Sequence, residues 1–362
     1  NTVIDGANST RGFIFNMLED ANTVVDGFTI IDGNSAGGNG GGIFIDANSS
    51  PTLINMVIRD SNATPADPND PTSLAFGGGI YVGVNAGPTF INTAVINCSA
   101  DIGGGAFCDF NSAPIFKHCT FMDNSADSGG GLAYDANCVS AVLDCTFLGN
   151  EAVDALLGSG GGLRCEPNSV ITIADSDFTE NLAPMGAGLY AEPNSLLTVA
   201  DTLFERNAAA IYGGGMFWSG GMEITDCNIT RNTALFGGGL FAVYSPETTI
   251  TRSVVKYNRA AIPLPSDPNI IFDPNDPNSI LVIDPNIVSV IGEGGGMFCF
   301  ATPAVIRDTI IRHNYADTSG GGLYIAGNRS TAQITNCLIT NTGAARDGGG
   351  ISANWYARPV VS

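Results

Sequence analysis

"FERNAAAIYGGGMF" (residues 204–217) places an F-x-x-N phrase just ahead of a glycine triplet. "FTENLAPMGAGLY" (178–190) precedes it and "ITRNTALFGGGLF" (229–241) follows it. A phrase that returns at a fixed period is an architectural unit before it is a site. Its register runs through the chain. The last glycines are Gly42, Gly79, Gly105, Gly131, Gly162, Gly188, Gly215, Gly239, Gly296, Gly322 and Gly350. The apolar residue that opens each phrase is read as Ile31, Ile58, Val95, Phe121, Phe147, Phe178, Phe204, Ile229, Val255, Ile311 and Ile339. The fourth place is Asn at 34, 124, 150, 181, 207, 232, 258 and 314, and lapses to Ser61, Cys98 and Thr342.

From a glycine to the next opener is 16 residues in seven of ten cases, so the base repeat is about 26 residues. Inside it lie short alternating runs such as "SVITIADSDF" (169–178) and "LLTVADTLF" (196–204), which read as strands between polar bends. No run has a helical period with caps. Short strands and tight bends at this period predict an all-β, right-handed parallel β-helix, one domain over 1–362. About twelve coils at ~4.8 Å give a rod of about 55 Å. The openers then stack in the core. Asn is expected to take the left-handed bend and to bond its neighbours above and below. The glycines are expected where φ is positive or backbones crowd. Eleven triplets without a G-K-S/T exclude a phosphate loop.

The pairing of F-x-x-N with a glycine phrase resembles the repeats of the chlamydial polymorphic outer membrane protein family, where GGA-I/L/V alternates with FxxN. Here the phrase is GGG-I/L/M, as in "GGGLYIAG" (320–327), and that family's C-terminal barrel has no counterpart. "DGFTIIDGN" with "GGGIFI" (26–45) is similar to the coils of large secreted β-helix proteins of planctomycete-like bacteria, with a pectin-lyase-like fold. These resemblances imply a bacterial surface or extracellular protein, structural or adhesive, and leave its ligand open.

Composition narrows the partners. The 362 residues carry 14 Lys and Arg against 35 Asp and Glu, a net charge of −21. Nucleic acid and anionic lipid need clustered cations, so both are excluded as general partners. No apolar run reaches the length of a membrane span. The chain opens on "NTVIDGANST" and closes on "ANWYARPVVS" without an evident cap. That predicts a fragment of a longer chain, or a unit that stacks end to end with other copies into a fibre or surface layer.

β-Helices also carry polysaccharide lyases and glycoside hydrolases, so an acid–base cluster is the alternative to look for. The N-T-D, D-D and G-H-G phrases of polygalacturonases are missing. The best candidate is a bend column with Glu180, Glu205, Arg206, Arg231, Lys256, Arg312 and His313. Its two carboxylates, a coil apart, would act as acid and base, with the cations holding an acidic glycan. The competing reading is a solvated corner. His118 and His313 lack metal-ligand spacing. Nine cysteines without C-x-x-C argue against zinc ribbons. Cys119, Cys145, Cys227 and Cys337 precede openers by two places and read as small core residues, with free thiols favoured over a Cys119–Cys145 disulfide.

Three coils swell in one slot, at 62–76, 151–159 and 260–293. Insertions in one slot emerge on one face of a solenoid, often the interaction face. D-P-N-D-P occurs at 67–71 and 273–277. Asp67, Asp70, Asp273 and Asp276, with Asp267 and Asp284, are candidate Ca²⁺ ligands, with turns pre-set by proline as the alternative.

Overall fold

The computed structural model describes residues 2–35, 37–67, 69–70, 72–261 and 292–362. The chain is a right-handed parallel β-solenoid with no helix among these residues. One coil shows the plan. It runs through Asp177–Thr179 in a first sheet, Leu182–Met185 in a second, Leu189–Ala191 in a third and Leu196–Ala200 in a fourth. Leu203–Glu205 then starts the next coil. Among the described residues the first, third and fourth sheets hold twelve strands each, and the shorter second sheet nine. Every strand pairs in parallel with its counterpart one coil away, as in Phe178↔Phe204, Tyr190↔Phe217 and Leu197↔Met222. The three insertions leave from the second sheet and rejoin just before the glycines. Their rejoining points are held by the Phe76↔Ile102, Ser159↔Met185 and Glu293↔Ser319 bridges.

Strand alternation sends every opener inward. Phe121, Phe147, Phe178 and Phe204 are fully buried, with ring centroids 4.4–4.9 Å apart and planes within 9°. Coil spacing and ring stacking distance coincide, so one phenylalanine per coil fills this edge of the core. The lowest opener needs a correction. Ile30, not Ile31, pairs with Ile58 and is buried, while Ile31 faces Arg59. Two adjacent isoleucines look alike in sequence, and only strand pairing chooses between them. Gly33 therefore occupies the Asn column there, and Asn34 lies outside it, bridged to Asn62.

The seven remaining asparagines, 124, 150, 181, 207, 232, 258 and 314, form a buried ladder. Asn181 is typical. Its N–H and Nδ2 donate to Asn207 Oδ1 at 3.0 and 2.9 Å, and Nδ2 donates again to the Phe147 carbonyl at 3.0 Å. Its own Oδ1 accepts both N–H and Nδ2 of Asn150 at 3.0 Å. Turning the corner would otherwise bury backbone groups without partners, and the amides satisfy them. The expectation that Asn itself is left-handed is corrected. The residue before it carries the positive φ: 53° at Asp123, 56° at Glu180, 55° at Arg206, 57° at Arg231. That residue points to solvent, so its identity varies, and the amide behind it tucks inward.

The glycines serve two needs. The first of each triplet is left-handed, as at Gly213 with φ 61°. The third backs onto the ladder: a Cβ on Gly131 would lie 2.5 Å from the Gly162 carbonyl oxygen and 3.1 Å from Asn150 Cγ. The middle place is crowded as well: a Cβ on Gly161 would run into the Leu182 carbonyl oxygen, and only the coil of Gly186 and Gly188 has an alanine there, the buried Ala187.

The corner before the openers is closed by smaller groups. Cys119 N–H donates to Cys145 Sγ at 3.4 Å, Cys145 N–H to Ser176 Oγ at 3.1 Å, and Cys227 N–H to Ser253 Oγ at 3.1 Å. All nine cysteines are free thiols, and Cys337 is the one not fully buried. In these columns the thiol works as a weak hydrogen-bonding substitute for Ser or Thr.

Candidate functional site

The corner stripe predicted from the sequence divides in two. Glu205, Lys256 and Arg312 lie on first-sheet strands one place after the opener, with Thr230 between Glu205 and Lys256 in register. Glu180, Arg206, Arg231, Tyr257 and His313 occupy the left-handed place after that. In the lower half the charges pair across coils. Arg231 donates to Glu205 at 2.5 Å, and Arg206 approaches Glu180 at 3.6 Å. The two carboxylates are thus each matched to an arginine one coil up, an arrangement that holds a corner rather than an acid and a base around a substrate. Arg231 also lies over the Tyr257 ring at 5.8 Å, and Tyr257 stacks on His313 at 4.9 Å.

In the upper half of the stripe Lys256 and Arg312 have no counter-charge among the described residues. Lys256 pairs in register with Arg312, so two positive side chains stand on adjacent strands. Among the described residues neither makes an ion pair, and Arg312 Nε is buried without a hydrogen-bond partner. His118, on the corner before the openers, hydrogen-bonds Asp144 at 2.8 Å in the open.

Of the calcium candidates, Asp67 and Asp70 are described, and both are exposed. Asp67 Oδ1 accepts the Asn69 N–H at 2.9 Å. Asp70 Oδ1 accepts the Thr72 N–H at 2.9 Å and its hydroxyl at 2.7 Å. Both carboxylates close their own turns, which favours the turn reading. Asp267, Asp273, Asp276 and Asp284 lie outside the described residues. Among the described residues no three His, Cys, Asp or Glu side chains converge as metal ligands.

Sequence reasoning missed an acid column at the end of the third sheet. Asp109, Asp135, Glu166 and Glu192 follow its strands in four consecutive coils. Tyr81 hydroxyl donates to Asp109, Tyr190 hydroxyl to Glu192 at 2.9 Å, and Arg164 pairs with Glu166. Burial holds Asp135 and Glu166 above the usual carboxylate range, with the acidic neighbours adding to it and Arg164 opposing it. The available signal was position: all four follow a glycine triplet by four residues. A separate polar cavity of about 290 Å³ lies along the lower corner, between Asp32, Asp60 and Asp123 on one side and Asn62, Ser99 and Ser125 on the other.

A family model described as a right-handed β-helix region matches residues 14–162 and again 161–361. No curated protein and no solved structure gives a significant match to the chain.

Proposed function

The chain belongs to the right-handed β-helix family, and from that premise we propose that it is a non-catalytic structural or adhesive protein of the bacterial surface or extracellular space. One observation carries this reading. The two carboxylates best placed for acid–base work, Glu180 and Glu205, are bound to Arg206 and Arg231 in stacked ion pairs. The uniform register from coil to coil also suits assembly, because a second copy placed end to end would meet the same pattern of strands. Self-association, other matrix proteins and glycans are the partners we propose. The test is an assay for product release from pectate, polygalacturonate, alginate and neutral glycans, with and without Ca²⁺. No turnover is expected. Turnover that disappears on Glu180→Gln or Glu205→Gln would overturn the reading.

A polysaccharide-active enzyme is the second reading, and the third-sheet acid column favours it. Carboxylates on adjacent coils, one of them beside Arg164 and raised in pKa by burial, are the materials of glycoside chemistry. Asp135→Asn and Glu166→Gln belong in the same assay. Turnover abolished by either would establish this reading in place of the first.

A further inference from the structure

Among the described residues five buried side-chain atoms lack a hydrogen-bond partner: Ser49 Oγ, Arg164 Nε, Asn228 Oδ1, Thr230 Oγ1 and Arg312 Nε. Three of the five fall on one patch, the outer face of the first sheet. Asn228 and Thr230 share the strand Asn228–Thr230, and Arg312 ends the strand Ile310–Arg312. Between them runs Val254–Lys256. Thr230, Lys256 and Arg312 therefore form one column on three neighbouring strands. Thr230 is 3% exposed. A buried polar atom without a partner costs about 1–3 kcal/mol, and the two that share this column, the Thr230 hydroxyl and Arg312 Nε, are donors that call for an acceptor, whereas Asn228 Oδ1 lies in the next column and is itself an acceptor.

Charge adds a second reason. The chain has 14 Lys and Arg against 35 Asp and Glu, and cations are scarce. Arg206, Arg231, Arg252 and Arg259 pair with carboxylates. Among the described residues Lys256 and Arg312 do not, although they stand side by side at coil spacing, ~4.8 Å, where like charges repel. An anion between them would remove that repulsion, and the Arg312 guanidinium and Thr230 hydroxyl supply further donors.

We propose that Lys256 and Arg312, with Thr230, form a binding site for the anionic groups of an acidic polysaccharide. The ligand's shared chemistry is an oxyanion, a carboxylate or a sulfate. The polymer is chosen over nucleic acid because two adjacent cations in a field of −21 cannot hold a dense phosphate backbone. Coil spacing is close to the length of one sugar ring, so successive charged sugars running along the rod would meet successive cations. Tyr257 and His313 wall the site on the corner side, and Val254 and Ile310 on the other. The site rests on the adhesive reading, and gives the glycan partner a definite charge.

The test is binding by the intact chain at low salt to polygalacturonate, to dextran sulfate and to neutral dextran, with free sulfate as competitor. The two acidic polymers are expected to bind and the neutral one to fail, with affinity falling as salt rises. The two acidic arms distinguish carboxylate from sulfate, and full competition by millimolar sulfate would reveal a site for free anions, overturning the polymer. Lys256→Gln with Arg312→Gln should weaken binding at least about tenfold for the loss of two charge-assisted contacts. Arg206→Gln, a paired cation, should not change it. Should Arg312→Gln fail to fold, Lys256→Gln alone must still weaken binding. Binding unaltered by these variants, or equal binding of neutral dextran, would overturn the proposal. Cleavage of a bound polymer would instead overturn the non-catalytic reading and leave this site standing.

Discussion

Replacing Asn181 by alanine tests the argument that the rod's corner is held by a continuous amide ladder. The side chain is fully buried and takes part in four side-chain hydrogen bonds. Alanine removes the Oδ1 that satisfies the Asn150 N–H, and the Nδ2 that satisfies the Phe147 carbonyl. Asn150 Nδ2 keeps its bond to the Phe121 carbonyl, and Asn207 Oδ1 keeps the Asn181 N–H. One buried backbone group, the Asn150 N–H, is thus orphaned at about 1–3 kcal/mol, while the Phe147 carbonyl keeps its place in the parallel ladder with the next strand and loses only its second donor. With a small cavity added, a loss of about 2–4 kcal/mol is expected. Asn181→Asp separates hydrogen bonding from shape. Its second oxygen would face the Phe147 carbonyl and Asn207 Oδ1, both acceptors, so the charged form is disfavoured and its pKa is raised on folding. Such a group loses stability as pH rises above the unfolded value near 4, so this variant should be more stable at pH 4 than at pH 7, relative to wild type. Urea unfolding followed by circular dichroism at both pH values reads the effect. Solenoids can unfold in segments, so hydrogen exchange at Asn150 and Asn207 should show the loss centred on these coils. An alanine variant within about 0.5 kcal/mol of wild type, or an aspartate variant indifferent to pH, would refute the ladder as the element that holds this corner.

Phe178→Ala should cost about 3–5 kcal/mol in the same unfolding experiment, because it opens a cavity between the stacked rings of Phe147 and Phe204. Gly213→Ala should cost about 1 kcal/mol or more from the left-handed backbone alone, whereas Ala187→Gly, which removes only a buried methyl, should cost less. Arg231→Met breaks an exposed ion pair and should change stability by less than about 1 kcal/mol, less still at high salt. Burial raises the Asp135 carboxyl, so its charge works against the fold above the unfolded pKa. Asp135→Asn should raise the unfolding midpoint at pH 7, and the gain should vanish as pH falls below about 4.

The repeat made the solenoid, the inward column of openers and the Asn ladder legible in the sequence alone. A parallel coil stacks like upon like, so each structural place leaves a column in the sequence. What lies between columns was not legible. The choice of Ile30 over Ile31 depends on pairing with Ile58. The left-handed place holds Glu180, Arg206, Tyr257 or His313 indifferently, because its side chain points to water and only the backbone is constrained. The candidate site shows the same division. Periodicity could gather Glu180, Glu205, Arg206, Arg231, Lys256 and Arg312 into one stripe, since those positions recur by coil. Whether two charges on the stripe neutralise each other depends on side-chain reach across the gap between coils, and only the folded rod sets that reach. It bound Glu205 to Arg231 and set Lys256 beside Arg312, with no counter-charge among the described residues. The third-sheet acids stayed hidden because Asp135 and Glu166 look like ordinary loop residues in sequence. Their raised pKa comes from burial beside neighbouring coils, a property of the stacked rod that no single coil carries.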